Sequence, residues 1–356
     1  MKVAQIVPRL PPYTDGVGDY AVRLAGQLLK AHQINTQFII FKPGPKNSSE
    51  LEYFPIAKLS EHTTQALLEA IPQDINNIIL HYSNYPYLQN KWDAPFWLVD
   101  GLRAIKQQYS VKLIVMFHEL PTLKWRHFKV LNPIQAIASR RLAEIADTVM
   151  TDSSNFKKHL AKWTQSDVPC IPDFSTIGEP ETVVPLHMRD RRLIVFGGHD
   201  RQRVYKNHLP TLLQTCQALG IEEVCDIGAT LDLDASRFGN VRLVQKGFQS
   251  AEAVQHLMST SFAGLMDYTP FPGDLGKSSV FAAFCAHGLL PVCTTYNPSE
   301  ADGIYANQQY LVAGKQLEDF RLAQLQAIAT QAHTWYSHHS LAKNTDVFAS
   351  YLHHPI

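Results

Sequence analysis

The sequence is short of several things, and each shortage removes a class of protein. No sign of charge is in excess: Lys plus Arg number 32 and Asp plus Glu number 32. Without a basic surplus the broad electrostatic footprint of a nucleic-acid binder is missing, although a local patch is compatible with a neutral total. Cysteine is scarce, with five in 356 residues: Cys170, Cys216, Cys225, Cys285 and Cys293. None makes a CxxC pair and no Cys/His spacing suits zinc, so the thiols read as reduced and mostly buried, and no metal site is expected. Long apolar runs are lacking too. The longest, residues 280–293, is interrupted by His287, Gly288 and Pro291 and is too short to span a bilayer. Residues 1–7 read as a first strand, without the apolar core of a signal peptide. A cytoplasmic protein is the expectation.

What is present is ordinary globular material, 45% hydrophobic and 18% charged. The length exceeds what one core usually serves, so two domains are expected. Short apolar runs alternate with helical-period segments throughout, as in parallel sheets covered by helices. In the first half, residues 3–7, 37–41, 77–81, 112–117 and 148–151 read as strands. Residues 17–31, 95–108 and 133–146 read as helices, the last two starting at a proline. Prolines at 172, 180 and 185 and the loss of any period mark a linker between 170 and 192. The grammar then restarts. Strands are expected at 192–196, 224–227, 241–245, 263–266 and 290–294, with helices at 209–219, 250–259 and 278–287 and an amphipathic helical tail over 317–352. The boundaries follow: an N-terminal Rossmann-like domain at 1–175 and a linker at 176–191. A C-terminal Rossmann-like domain occupies 192–335, and a final helix, 336–356, crosses back to the first domain. Trp335 and Tyr336 are expected to help hold the domains together. The fold class is α/β, with two tandem Rossmann-like domains facing across a cleft.

Ligands of doubly wound sheets bind at the carboxyl ends of the strands, and four segments fall there. In the first turn, Gly16 and Gly18 let backbone approach an anion beside a helix N-terminus. A tight strand-to-helix turn explains them equally well, because the third glycine and the downstream acid of a dinucleotide fingerprint are absent. His118 and Glu119 follow a strand, where a histidine can hydrogen-bond a substrate hydroxyl or stabilise a developing charge. His81 ends another strand and invites the same reading; a satisfied structural histidine is the alternative. Arg203 and Lys206 lie in Gly197-Gly198-His199-Asp200-Arg201-Gln202-Arg203-Val204-Tyr205-Lys206-Asn207, which looks like a pyrophosphate clamp or else a solvated loop. Lys277, Ser278 and Ser279 precede an apolar helix and suit an anion, or are simply its cap. That loop is not a Walker A motif, since Phe271 stands where the motif needs glycine.

These segments, with Ala146-Asp147-Thr148-Val149-Met150-Thr151-Asp152-Ser153, resemble the N-terminal half of family-four GT-B glycosyltransferases. The stretch from His81-Tyr82-Ser83 through Pro95-Phe96-Trp97 to His118-Glu119-Leu120 is similar to a bacterial subgroup tied to polysaccharide clusters. The Gly198 to Asn207 segment resembles the family's diphosphate loop, and His287-Gly288-Leu289-Leu290-Pro291-Val292 its late helix–Gly–Pro-Val element. The resemblance covers nearly the whole chain. It implies metal-independent transfer of a sugar, with retention, from a nucleoside-diphosphate sugar to a glycan or lipid-linked acceptor, without a cofactor. Gly16, Gly18, Arg203, Lys206, Lys277, Ser278 and Ser279 would hold the donor diphosphate, with His81 and Glu119 on the acceptor side. His118 would be catalytic. The family carries two glutamates seven residues apart around the helix that here begins at Ser278. Here Asp274 takes the first place, as the second catalytic candidate, and alanine or phenylalanine the second. That departure keeps open a catalytically silent GT-B protein that binds a glycan or nucleotide, or an epimerase or phosphorylase on the same scaffold. Nucleic acid is not an expected partner. Lys124-Trp125-Arg126-His127-Phe128-Lys129 offers a peripheral contact with the inner membrane, or an ordinary exposed loop.

Overall fold

A computed structural model of the chain describes residues 1–11, 16–41, 50–51, 54–90, 92–125 and 128–353, with the backbone alone for 50–51, 122–125 and 128–131. The chain divides into two compact units, Met1–Ile171 with Leu341–Ile356, and Pro172–Ser340.

In the first unit the elements follow as β1 (Lys2–Val7), α1 (Gly16–His32), β2 (Asn35–Ile40), β3 (Glu50–Leu51), β4 (Phe54–Lys58), α2 (Thr64–Ala70) and β5 (Asn77–Tyr82). After these come α3 (Phe96–Gln108), β6 (Lys112–Phe117), a hairpin of β7 (Thr122–Trp125) and β8 (Phe128–Leu131), α4 (Pro133–Ile145), β9 (Thr148–Thr151) and α5 (Ser154–Leu160). The sheet runs β3-β4-β2-β1-β5-β6-β9, parallel except for β3. The central strands β5 and β6 are buried at every position, as expected of strands covered on both faces. Alternation sorts the side chains between those faces. In β2, Phe38 and Ile40 join a cluster with Val7, Ala21 and Ala25, while Ile39 joins a larger one with Ile6, Leu80 and Val115. Sequence reading missed β4, whose Pro55 suits a place near the sheet edge, and α2, which is too short to display a period.

In the second unit the order is β10 (Asp190–Phe196), α6 (Gln202–Leu219), β11 (Glu223–Ile227), β12 (Arg242–Gly247), α7 (Ala251–Thr260), β13 (Ser261–Met266), α8 (Ser279–Ala286), β14 (Leu290–Cys293), β15 (Leu311–Val312) and α9 (Leu322–Ser337). Its sheet runs β12-β11-β10-β13-β14-β15, all parallel. β12 lies at the edge, and its half-exposed Arg-Leu-Val-Gln-Lys-Gly shows it.

Two boundaries differ from the sequence reading. Residues 176–191 are packed into the second unit instead of hanging free as a linker. Leu186 is buried and its amide donates to Gln326 Oε1 at 2.7 Å. The Arg189 guanidinium, also buried, donates to the carbonyls of Val184, Ser261 and His287. The expected single tail over 317–352 is two helices. It breaks at 338–340, and α10 (Leu341–His353) packs on α1 in the first unit. Trp335 and Tyr336 find their partners in the second unit. Trp335 donates to the Asp302 carbonyl at 2.7 Å, and the Tyr336 hydroxyl meets Glu179 and the Ser175 amide. Among the described residues no helix is long and apolar enough to cross a membrane.

Candidate functional site

Both sheets have the doubly wound order, so each has a switch point where neighbouring connections leave in opposite directions and a crevice opens. In the second unit it lies between β10 and β13. The loop leaving β10 turns at Gly197, whose φ is +132°, and at Gly198. It is held from beneath by Arg201. That guanidinium is buried and bidentate on Asp226 of β11, with Nε and one terminal nitrogen 2.9 and 2.8 Å from the carboxylate oxygens. It also donates to the carbonyls of Gly197, Gly198 and Ala229. The Tyr205 hydroxyl donates to the same carboxylate at 2.8 Å. Burial, then the charge on Asp226, pushes that phenol well above its usual pKa. Opposite the loop sits Gly228 at φ +140°, where a Cβ would come 2.3 Å from the Gly197 carbonyl oxygen. No other residue type fits there.

The other wall is the loop after β13. Asn297 and Ser299 clamp it: Gly273 donates to Asn297 Oδ1 at 2.6 Å and Leu275 to Ser299 Oγ at 2.8 Å. Asp274 is buried within this loop. Ser278 caps α8, its hydroxyl accepting the Phe281 amide at 3.1 Å; Ser279 is the first helical residue. Lys277 stands over the Phe271 ring at 5.6 Å. α8 reaches the β10 loop, because Val280 lies beside the position a Gly197 Cβ would take.

The two halves of the expected clamp therefore do different things. Gly197 and the start of α8 come together. Arg203 is paired with Asp200 one turn earlier, at 3.0 Å. Lys206 is exposed and lines a hollow of about 300 Å³ that runs from the β10 loop to the β11 side, with His199, Thr230, Asp232 and Arg237. α6 itself breaks at His208, and its second stretch starts with Leu209 and Pro210, where sequence reading placed the helix. Arg201 and Asp226 were missed as a pair. The available signal was an acid inside the apolar strand β11.

In the first unit the switch point lies between β1 and β5. Gly18 is required by a close approach, since a Cβ there would lie 2.5 Å from the Arg9 carbonyl oxygen, whereas Gly16 has open space. Residues 12–15 lie outside the described residues. The two candidate histidines meet. His81 Nδ1 is 3.1 Å from His118 Nε2, with the rings stacked at 5.4 Å. His81 Nε2 is 2.9 Å from Gln5 Oε1, and His118 Nδ1 is 2.8 Å from Asp152 Oδ2. All four side chains are buried. Burial, and then the neighbouring His118, holds the His81 imidazole well below its ordinary pKa. Tyr20 packs edge-on against both rings and donates to Asn344 Oδ1 of α10 at 3.2 Å. Glu119 accepts a hydrogen bond from Ser83 at 2.6 Å. His81 is thus completely enclosed, behind His118. The sequence reading of a membrane contact at residues 124–129 falls partly outside the described residues (126 and 127) and on side chains that are not described. Close by in the chain, Trp92, Ile134 and Ile137 are 80%, 56% and 48% exposed. Gln135 donates to the Asp93 carbonyl at 2.8 Å, which ties the start of α4 to the Trp92 turn.

Two Rossmann-like units of this order, one after the other, define the GT-B fold, and comparison with solved structures gives the same fold. HepE from Anabaena, in complex with UDP and glucose, aligns with a TM-score of 0.65 at 12% identity over 99% of both chains. A trehalose-6-phosphate structure from E. coli, bound with UDP-2-fluoro glucose, aligns at 0.65 and 12% over the whole of both. An alpha-glucosyltransferase in complex with UDP-glucose and DNA aligns at 0.61 and 11%, over 98% of this chain and 99% of that one. No protein-family profile and no curated protein matches the chain.

Proposed function

We propose that this protein is a glycosyltransferase that takes a nucleoside-diphosphate sugar as donor and a glycan or lipid-linked sugar as acceptor. One observation carries the reading: at the switch point of the second unit, the Gly197–Gly198 turn meets the start of α8. A glycine turn and a helix N-terminus present backbone amides without side-chain obstruction, the arrangement that receives phosphate. Lys277 adds a charge beside α8, and Lys206 another beyond the turn. The fold supports the same reading, because the similar structures contain UDP or UDP-sugars. Departure of the diphosphate concentrates negative charge, and preorganised amides and lysines stabilise that charge best in the transition state. The protein then needs no metal ion for the step. Asp274, buried at the same loop, faces the donor sugar in this scheme, and His118, hydrogen-bonded to Asp152, is the first unit's catalytic candidate.

Incubation with a panel of sugar nucleotides in the presence of chelator tests this. One donor is consumed, and the anomeric proton of the product reports retention. Release of diphosphate from none of them contradicts transferase activity, and an inverted anomer contradicts retention. A lipid-linked acceptor brings the enzyme to a membrane surface, and exposed Trp92, Ile134 and Ile137 suit the interfacial layer. Flotation with anionic vesicles is expected to retain the wild type and to lose most of Trp92→Ala. Equal flotation of the two, or none by either, contradicts that contact.

A further inference from the structure

Between β13 and α8 the chain reads Tyr268-Thr269-Pro270-Phe271-Pro272-Gly273-Asp274, and it changes direction twice there. Residues 268–271 form a turn, closed by the Phe271 amide on the Tyr268 carbonyl at 3.1 Å. Gly273 makes the next change at φ +72°, a conformation that other side chains rarely adopt. Residues 275–277 then wind into a 3₁₀ turn, and the Lys277 amide donates to the Asp274 carbonyl at 3.1 Å. The course of this loop is fixed from outside, since Asn297 and Ser299 hold the Gly273 and Leu275 amides.

The result is that Lys277 comes back over Phe271. Its ammonium lies 5.6 Å from the ring centroid, within the range of a cation–π contact. Tyr268 packs against the same ring, with centroids 5.2 Å apart and planes at 38°. All three side chains are half-buried, so the ring is braced while the lysine remains reachable from solvent. A lysine left to itself is a poorly organised ligand, because the rotamers of its long stem must be fixed on binding. A carboxylate can fix an ammonium too, but it cancels the charge that an anion requires. An aromatic face attracts the ammonium through its quadrupole. It leaves the positive charge, and the hydrogens of the ammonium, to an incoming oxygen.

We propose that Phe271 is a positioning residue, whose ring, braced by Tyr268, holds the Lys277 ammonium beside the start of α8 in readiness for an anion. That this anion is the diphosphate of a sugar nucleotide rests on the transferase reading; the contact between lysine and ring does not.

The test is a calorimetric titration of the full-length protein with UDP, in the presence of chelator. It compares the wild type with Phe271→Leu, Phe271→Tyr, Lys277→Ala and the double variant Phe271→Leu/Lys277→Ala. Phe271→Leu is expected to weaken binding about two- to fivefold, the equilibrium value of one solvent-accessible contact of this kind. Phe271→Tyr keeps the aromatic face and is expected to bind like the wild type. With Lys277 already replaced by alanine, the leucine substitution is expected to change nothing further. A ring that merely supported the loop would not show that dependence. The same loss with and without Lys277, wild-type binding by Phe271→Leu, or an equal loss in the tyrosine and leucine variants overturns the inference.

Proton spectra supply a readout free of any ligand. The ε-methylene signals of Lys277, identified by their loss in Lys277→Ala, are expected upfield of the usual lysine position in the wild type, shielded by the ring. In Phe271→Leu they are expected to return to it. Signals at the usual position in the wild type overturn the contact, whatever the titrations give. If the wild type binds no UDP, the transferase reading fails by itself, and inorganic diphosphate takes the place of UDP with the same proteins. Absence of diphosphate binding as well means that Lys277 holds no anion, and the inference is overturned.

Discussion

Arg201→Ala is expected to destabilise the second unit by about 3–5 kcal/mol, the usual consequence of leaving one partner of a buried ion pair uncompensated. Asp226 would keep only the Tyr205 hydroxyl among its present side-chain partners, while three loop carbonyls would lose their donor. For a unit of this size roughly 2–4 °C of melting temperature accompanies each kcal/mol, so a fall of roughly 6–20 °C is expected by calorimetry. Arg203→Ala is the control. It removes a charge of the same sign two residues away, but one whose pair with Asp200 is exposed, and such pairs contribute about 0–1 kcal/mol. Similar melting temperatures for the two variants would contradict the assignment of Arg201 as the residue that holds the glycine turn. Gly228 belongs to the same cluster, so substitutions at 201 and 228 are not expected to add.

Arg201, Arg203 and Lys206 also show where sequence reading stops. In the sequence they are three cations in one loop, equally suited to phosphate. Their roles are separated by a partner 25 residues away in β11, and by the hollow on the β11 side that Lys206 lines. Neither is a local property. The architecture was far more legible, because strands buried on both faces leave continuous apolar runs. β6 and β9 begin and end where those runs do, at 112–117 and 148–151. What failed was short or edge-like: β4 with its proline, the two-residue β15, and the break at 338–340 inside an apparently continuous helical tail. In the first unit, His81 and His118 were readable as histidines at strand ends, but not as each other's partners. That contact depends on the alignment of β5 with β6, where Tyr82 pairs with Phe117. Asp152 stood only within a longer resembling stretch. Its burial beside His118 is set by the pairing of β6 with β9, which no linear pattern encodes.

The second large effect concerns the donor itself. If the switch point of the second unit receives a diphosphate, its lysines supply charge-assisted bonds worth about 1.5–3 kcal/mol each, or roughly 10- to 150-fold in affinity. Lys277 stands beside the capped start of α8, where helix amides already favour an anion, and Lys206 beyond the glycine turn on the other side of β10. Lys206 is exposed and Lys277 half-buried, so neither side chain belongs to the buried core. Their removal is therefore expected to change binding while leaving the melting temperature within a degree or two, unlike Arg201→Ala. The measurement is a calorimetric titration of a nucleoside-diphosphate panel, with chelator present, against the wild type, Lys206→Ala and Lys277→Ala. Micromolar binding of one diphosphate, weakened at least tenfold in each variant, is the predicted result. A wild type that binds no member of the panel, or one whose binding survives both substitutions unchanged, would contradict a donor site at this switch point.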